Sequence, residues 1–264
     1  MSLVVTKIDG FIGTLTLNRP EKLNALSNEL VGDIISALKC FKKEKVRVGI
    51  LKATTKTTKA GRVIWSTGHD VSELPDGRRD PLGCDDSLRC LIREIKDAPF
   101  PIIAMAEGEV WGGACELIFA CSMIVALPNV TFAFTPAKLG VPYNLSGLST
   151  FMNDTGLHLL KEMICTAAPI GVARFERAGI VNYILPAGEL EKKVTELAEQ
   201  TVHNAPLAIT AMLAELNMMA GARDMSPSDF EKIQGLRRRS YDSTDYIEAR
   251  KAFFEKRTPI FTGE

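Results

Sequence analysis

Residues 107–117 read EGEVWGGACEL, and they set Gly112 and Gly113 just ahead of Glu116. The glycine pair stands where an apolar run, PIIAMAEG, gives way to a helical pattern. A glycine inside a helix costs about 1 kcal/mol relative to alanine, so two in a row need a reason. A helix N-terminus offers unpaired N–H groups and the positive end of the helix dipole. A ligand oxygen reaches such an N–H closely only where no side chain stands in the way. Close packing of strand against helix accounts for the pair equally well.

A second stretch, WSTGHDVSELP (residues 65–75), follows another apolar strand pattern and carries Gly68, His69 and Asp70 in a loop. In parallel sheets ligands bind beyond the carboxyl ends of the strands. One backbone N–H from each of these two stretches would make an oxyanion hole, in which a single donor is worth about 10²- to 10³-fold in rate, roughly 3–4 kcal/mol. His69 by itself also fits a capping or solvated histidine. Tyr143, in GVPYNLSG, offers a neutral hydroxyl donor or a ring packed beside Pro142.

These residues must be held by strands and helices, and the pattern supplies both. LVVTKI and FIGTLTL are β-rich and separated by Asp9-Gly10, which predicts a hairpin. SNELVGDIISALKCF predicts a helix with Ser27 as N-cap and Leu30, Ile34, Ile35 and Leu38 on one face. VRVGILKA, PIIAMAEG, SMIVAL and VTFAF read as strands and SLRCLIREI as a helix. Strand–helix alternation predicts right-handed crossovers in a largely parallel α/β sheet. From about residue 149 the pattern turns helical, through STFMNDTGLHLLKEMIC, ELEKKVTELAEQTVHNA, PLAITAMLAELNMMAGA and SPSDFEKIQGLRRRSYD to STDYIEARKAFFEKR, with Ser243 as a cap. The polar run ATTKTTKAGR, with Lys56, Lys59 and Arg62, reads as a solvated surface loop.

Composition narrows the classes. The 264 residues carry 32 basic and 32 acidic side chains, so bulk charge gives no reason to expect a polyanion partner. Six cysteines (Cys40, Cys84, Cys90, Cys115, Cys121, Cys165) lack CxxC spacing, and several sit in apolar runs, which fits free thiols in a reducing, cytoplasmic compartment. His69, His158 and His203 form no metal motif, and no GxGxxG fingerprint is present, so neither a metal nor an organic cofactor is expected. MSLVVTKIDG lacks the build of a signal peptide, and ELIFACSMIVAL falls short of the ~20 residues a membrane span needs.

TGHDVSEL and EGEVWGGACEL, with NRPEKLNALS before them and AFFEKRTPIFTG at the end, resemble the landmarks of the crotonase (enoyl-CoA hydratase/isomerase) superfamily, in that family's order. The resemblance implies a spiral of ββα repeats in residues 1–195 holding the CoA and acyl pocket. It assigns a helical oligomerisation region to residues 196–264, building a homotrimer or a hexamer of two trimers. It implies an acyl-CoA thioester substrate, coenzyme A being part of that substrate, with no nucleic-acid or membrane partner. The paired oxyanion donors would be the N–H groups of His69 and Gly113. CoA contacts would come from Lys22, Leu23 and Ala25, from Thr67, Gly68, His69, Asp70 and Val71, and from Thr135. Phe253 and Lys256 would come from the last helix as a lid, often supplied by a neighbouring subunit.

Hydratases of this family use two glutamates. The first matches Glu116, but the position of the second, after Pro136 in TPAKLGVPYN, holds Ala137. Hydration needs general acid–base handling of water, whereas decarboxylation of a malonyl-type thioester needs only an oriented carboxylate and a held enolate. An uncharged residue at 137 also avoids repelling an anionic substrate. GHDVSELPDGRRDPL, TPAKLGVPYNLSG and RRRSYDSTDYIEARKAFFEKR resemble the branch that converts methylmalonyl-CoA to propionyl-CoA. That resemblance puts His69 and Tyr143 around the reacting acyl group and leaves the role of Glu116 open. The alternatives are a hydratase or isomerase relying on Glu116 alone and a silent acyl-CoA-binding protein on the same fold.

Overall fold

The structure, a computed structural model, describes residues 2–74, 86–222 and 225–263. In chain order the elements begin with β1 (Val4–Asp9), β2 (Ile12–Leu17), α1 (Asn28–Lys43), β3 (Val48–Ala53), β4 (Lys56–Thr57) and β5 (Val63–Ser66). Next come α2 (Ser87–Lys96), β6 (Ile102–Ala106), β7 (Glu109–Trp111), α3 (Gly113–Phe119), β8 (Met123–Ala126) and β9 (Thr131–Ala133). The chain continues with α4 (Leu145–Thr155), α5 (Leu157–Thr166), β10 (Ile170–Gly171), α6 (Val172–Arg177), β11 (Tyr183–Ile184), α7 (Ala187–Val202), α8 (Pro206–Gly221), α9 (Pro227–Tyr241) and α10 (Thr244–Glu255).

The strands form two sheets, in place of the single sheet that strand–helix alternation suggests. One runs β1-β2-β3-β6-β8-β11 and the other β10-β9-β7-β5-β4. After the β1–β2 hairpin and β3 in the first sheet, the chain crosses to the second on β4 and β5 and returns through α2. It repeats the path with β6, β7 and α3, and then with β8 and β9, giving a spiral of ββα turns. The second-sheet strands are two to four residues long, too short to show a period in the sequence. Parallel pairing of β5 with β7, and of β7 with β9, places the loops after these strands side by side.

The pattern at each element follows its surroundings. β2 alternates buried and half-buried residues. α1 starts on Ser27, whose hydroxyl accepts from Leu30 N–H, and it buries Leu30, Val31, Ile34, Leu38 and Phe41. The run expected as one helix from residue 149 is two, α4 and α5, starting at Leu145 and broken at Gly156, whose φ of 72° no helix continues through. Ser243 caps α10 as expected, accepting from Tyr246 N–H. The ATTKTTKAGR segment is partly ordered as the β4–β5 hairpin: Lys56 and Lys59 are exposed, and Arg62 lies over the Trp111 ring and pairs with Glu109 at 3.6 Å.

Phe119, Phe132, Phe134, Phe151 and Phe175 pack as one aromatic cluster between β9 and helices α3, α4 and α6, with neighbouring centroids 4.6–5.7 Å apart. Phe132→Ala in this fully buried position is expected to cost about 3–5 kcal/mol of stability, read by denaturant unfolding followed by circular dichroism.

The C-terminal helices differ in how they bury surface. Residue 195 lies inside α7, which packs Leu190, Val194, Leu197 and Ala198 against the first sheet. α8 has no buried residue and exposes Leu207, Met212, Leu216, Met218 and Met219. Hydrogen bonds from Thr210 to the Pro99 carbonyl (2.6 Å) and from Asn217 to the Lys96 carbonyl (3.0 Å) hold it to the body.

Candidate active site

The loop after β5 is zipped to residues 23–26. Thr67 N–H donates to the Leu23 carbonyl, Leu26 N–H to the Gly68 carbonyl, and Asp70 N–H to the Leu26 carbonyl. Gly68 N–H is taken by the Ser66 hydroxyl. A parallel bridge in which Leu26 makes both bonds turns the N–H of His69 to the opposite side. That N–H donates to none of the described partners.

The NRPEKLNALS segment is shaped to receive this loop. Asn24, fully buried with φ 50°, accepts from Arg19 N–H and donates to the carbonyls of Thr54 and Trp65. Arg19 reaches across to Asp70 at 2.8 Å. Burial raises the Asp70 carboxyl, but hydrogen bonds from Ser72 and Arg19 more than offset this and hold it below the usual carboxylate range. The Asp70 side chain is thereby committed to shaping the loop.

The second loop meets the first. Gly112 has φ 52° and donates to the Ala133 carbonyl, and α3 starts on Gly113. The Gly113 N–H has no acceptor among the described hydrogen bonds. A Cβ on Gly113 would lie 2.5 Å from Leu88 Cδ2 and 3.6 Å from the His69 nitrogen. A Cβ on Gly68 would lie 2.9 Å from the Gly113 nitrogen and 2.4 Å from the Trp111 carbonyl oxygen. The two unbonded N–H groups therefore sit together, and Gly112 meets Thr135: its Cβ would be 3.1 Å from the Thr135 hydroxyl.

One turn along α3, Glu116 is buried, and Tyr143 donates its hydroxyl proton to Glu116 Oε2. The Tyr143 ring packs edge-on against Phe134 and Phe151, and Gly147 makes room for it, since a Cβ there would lie 2.3 Å from Tyr143 Cε1. Burial pushes the Glu116 carboxyl up to about 7. Burial and the adjacent Glu116 push the Tyr143 phenol well above its ordinary value. Cys115, fully buried beside them, is pushed up to about 12 by burial and stays a thiol.

Sequence reading missed the groups around Glu116. Arg89, on α2, donates to Asn144 Oδ1 at 3.2 Å, and its Nε is buried without a partner. Lys96 donates to the Thr150 hydroxyl at 2.8 Å. Asp86 caps α2, and burial raises its carboxyl despite the pull of His69 and Arg89. The His69 Nδ1 is buried without a partner. In SLRCLIREIK both cations look like the polar face of an amphipathic helix, and only the close approach of α2 to α3 and α4 turns them inward.

The structure thus gathers Leu23, Ala25, Thr67, Gly68, His69, Asp70, Thr135, Gly113, Glu116 and Tyr143 around the two loops, with Lys22 exposed and Val71 half-buried at their edges. Phe253 and Lys256 lie exposed at the far end of α10, and no described hydrogen bond or ring contact joins them to the loops. Ala137 is exposed and lines a groove with Gly140, Arg239, Ser240, Asp245 and Phe261. Cys84 and the segment after Leu74 in the first loop lie outside the described residues. Among the described residues no cluster of His, Cys, Asp or Glu is arranged to hold a metal ion, and no helix is long and apolar enough to cross a membrane.

Two unbonded backbone N–H groups lie close together, with a buried carboxyl–phenol pair one turn along α3, and comparison with known proteins decides the family. The enoyl-CoA hydratase/isomerase family matches residues 7–264. The chain belongs to this family. It is 43% identical over 252 residues to methylmalonyl-CoA decarboxylase of Escherichia coli (strain K12), covering 96% of this chain and 95% of that protein. A solved methylmalonyl-CoA decarboxylase in complex with 2-nitronate-propionyl-CoA superposes with a TM-score of 0.94 at 41% identity, covering 100% of this chain and 99% of the other. A second, complexed with 2S-carboxypropyl-CoA, gives 0.94 at 42% identity with the same coverage.

Proposed function

We infer that this family member is a carboxy-lyase that decarboxylates methylmalonyl-CoA to propionyl-CoA. The observation that carries this is its 43% identity to a methylmalonyl-CoA decarboxylase across nearly the whole of both chains. The site fits the chemistry. With the substrate carboxylate turned out of the thioester plane, the bond from C2 to the carboxylate carbon breaks and CO₂ leaves. Its electron pair flows through C2 and C1 onto the thioester oxygen. The N–H groups of His69 and Gly113 hold that oxygen as it becomes an enolate, which then takes a proton at C2. Preorganised donors of this kind need no reorganisation as charge develops.

In this reading the Tyr143 hydroxyl orients the departing carboxylate, and the His69 ring lies beside the acyl group. Lys22, Leu23, Ala25, Thr67, Gly68, Asp70, Val71 and Thr135 border the thioester and nucleotide. Phe253 and Lys256 close over the nucleotide from a neighbouring subunit, which accounts for their exposure in one protomer. Residues 1–195 form the pocket and 196–264 the oligomerisation region. The reaction needs neither a metal nor an organic cofactor, and the free cysteines, two of them fully buried, suit the cytoplasm.

Incubation with methylmalonyl-CoA and crotonyl-CoA in parallel tests the reading: consumption of the first alone is expected. Consumption of crotonyl-CoA alone makes the protein a hydratase, and consumption of neither makes it an acyl-CoA binder. The apolar, unburied α8 further suggests a trimer or a dimer of trimers. Light scattering is expected to give a mass of three or six chains, and a monomer at micromolar concentration overturns that assembly.

A further inference from the structure

Tyr143 has one proton to give, and an ionised Glu116 accepts it. A phenol in that arrangement cannot also donate to a substrate carboxylate. The conflict disappears when Glu116 is protonated, because its carboxyl then donates to the Tyr143 oxygen and leaves the phenol proton free. We propose that Glu116 is a positioning residue that acts through Tyr143: its neutral carboxyl turns the phenol hydroxyl toward the substrate carboxylate, and its ionised form turns the hydroxyl away. The proposal rests on the decarboxylase reading and assigns a role to a buried group that reading leaves unused.

The surroundings of Glu116 favour the neutral form without a direct counter-charge. Glu116 is 2% exposed and makes no ion pair among the described residues, although Arg89 and Lys96 face it from α2. Arg89 spends its described hydrogen bond on Asn144 and Lys96 on Thr150. The Tyr143 hydrogen bond lowers the carboxyl, Arg89 and Lys96 lower it further from a distance, and Asp86 at the start of α2 raises it. Tyr143 ahead of α4 and the Cys115 thiol on α3 are uncharged neighbours, and His69 faces Asp86 from the first loop. Burial is the largest influence, and it raises the carboxyl to about 7.

An ionised Glu116 weakens substrate binding twice over. It claims the phenol proton, and it sets a second negative charge near the substrate's own carboxylate. A thioester without that carboxylate is indifferent to both effects. The difference in pH response between carboxylate-bearing and carboxylate-free ligands is therefore the signature of this device.

The test measures kcat/KM for methylmalonyl-CoA against pH, and in parallel the Kd of 2S-carboxypropyl-CoA and of propionyl-CoA. In the wild type, kcat/KM and carboxypropyl-CoA affinity are expected to hold below pH 7 and to fall about tenfold per unit above it, as for loss of one required proton. The ratio of the two Kd values should follow the same course, since titration of the nucleotide phosphates is common to both ligands. Glu116→Gln, whose amide still donates to Tyr143, is expected to lower the plateau by about tenfold or less, one hydrogen bond's worth, and to remove the alkaline limb. Tyr143→Phe should weaken the pH dependence of the Kd ratio, leaving only the part due to repulsion between Glu116 and the substrate carboxylate. A flat wild-type Kd ratio, or an alkaline limb that survives in Glu116→Gln, overturns the proposal. So does a loss of more than about 10³-fold in Glu116→Gln, which exceeds a positioning effect and makes Glu116 the proton donor. If methylmalonyl-CoA is not turned over, the decarboxylase reading fails while the ligand-affinity arm still decides the role of Glu116.

Discussion

Gly68→Ala lowers turnover of methylmalonyl-CoA by about 10²- to 10³-fold, the loss that follows removal of one oxyanion donor. Gly68 has φ 81°, and an added Cβ would stand 2.4 Å from the Trp111 carbonyl oxygen and 2.9 Å from the Gly113 nitrogen. Both neighbours are backbone, so the loops must part, and the His69 and Gly113 N–H groups no longer converge on one oxygen. The positive φ adds about 1–2 kcal/mol of strain for a residue with a Cβ. Gly108→Ala separates strain from chemistry. Gly108 has φ 77° and a Cβ there would lie 2.3 Å from the Val63 carbonyl oxygen, away from the paired donors. It should lose comparable stability in thermal melts while its folded fraction retains turnover. Equal loss of turnover in both variants would mean that general destabilisation, not the donor pair, is being measured.

Tyr143→Phe is expected to lower turnover by about 10- to 150-fold, because a hydrogen bond to a charged group is worth about 1.5–3 kcal/mol. The ring keeps its packing against Phe134, 4.9 Å between centroids, so the fold around it should persist. Propionyl-CoA, which has no carboxylate, should bind with nearly unchanged affinity. Full turnover in this variant would reduce Tyr143 to a packing residue and remove the phenol from the reaction.

The two expectations draw on different kinds of information. The bare backbone at Gly112-Gly113, the loop around Gly68 and His69, and the carboxyl at Glu116 were legible in the sequence because glycine types and short spacings report local geometry directly. The bond between Tyr143 and Glu116 was not, since it joins residues 27 apart through the packing of α3 on the segment before α4. Arg89 and Lys96 were invisible for the same reason: a cation's position on an amphipathic helix does not say what neighbour covers it. The strands β4, β7 and β10 were missed because two or three residues carry no period. Ala137 was read beside Glu116 from its place after Pro136, and that it lines a groove with residues of the last two helices was not legible, since they are about a hundred residues away in the chain.

By itself the sequence determined the groups on offer: two glycine-bearing turns at strand ends, a glutamate just after one of them and a tyrosine further on; that a second carboxylate is missing followed only from the family resemblance. Those are properties of residue type and near neighbours, and backbone sterics impose them locally. Only the tertiary structure decided that the two turns meet, through parallel pairing of β5 with β7, and that Glu116 is dry enough to hold its proton near neutral pH. Both depend on long-range packing, because the approach of two loops and the exclusion of water from a carboxyl are set by elements distant in the chain.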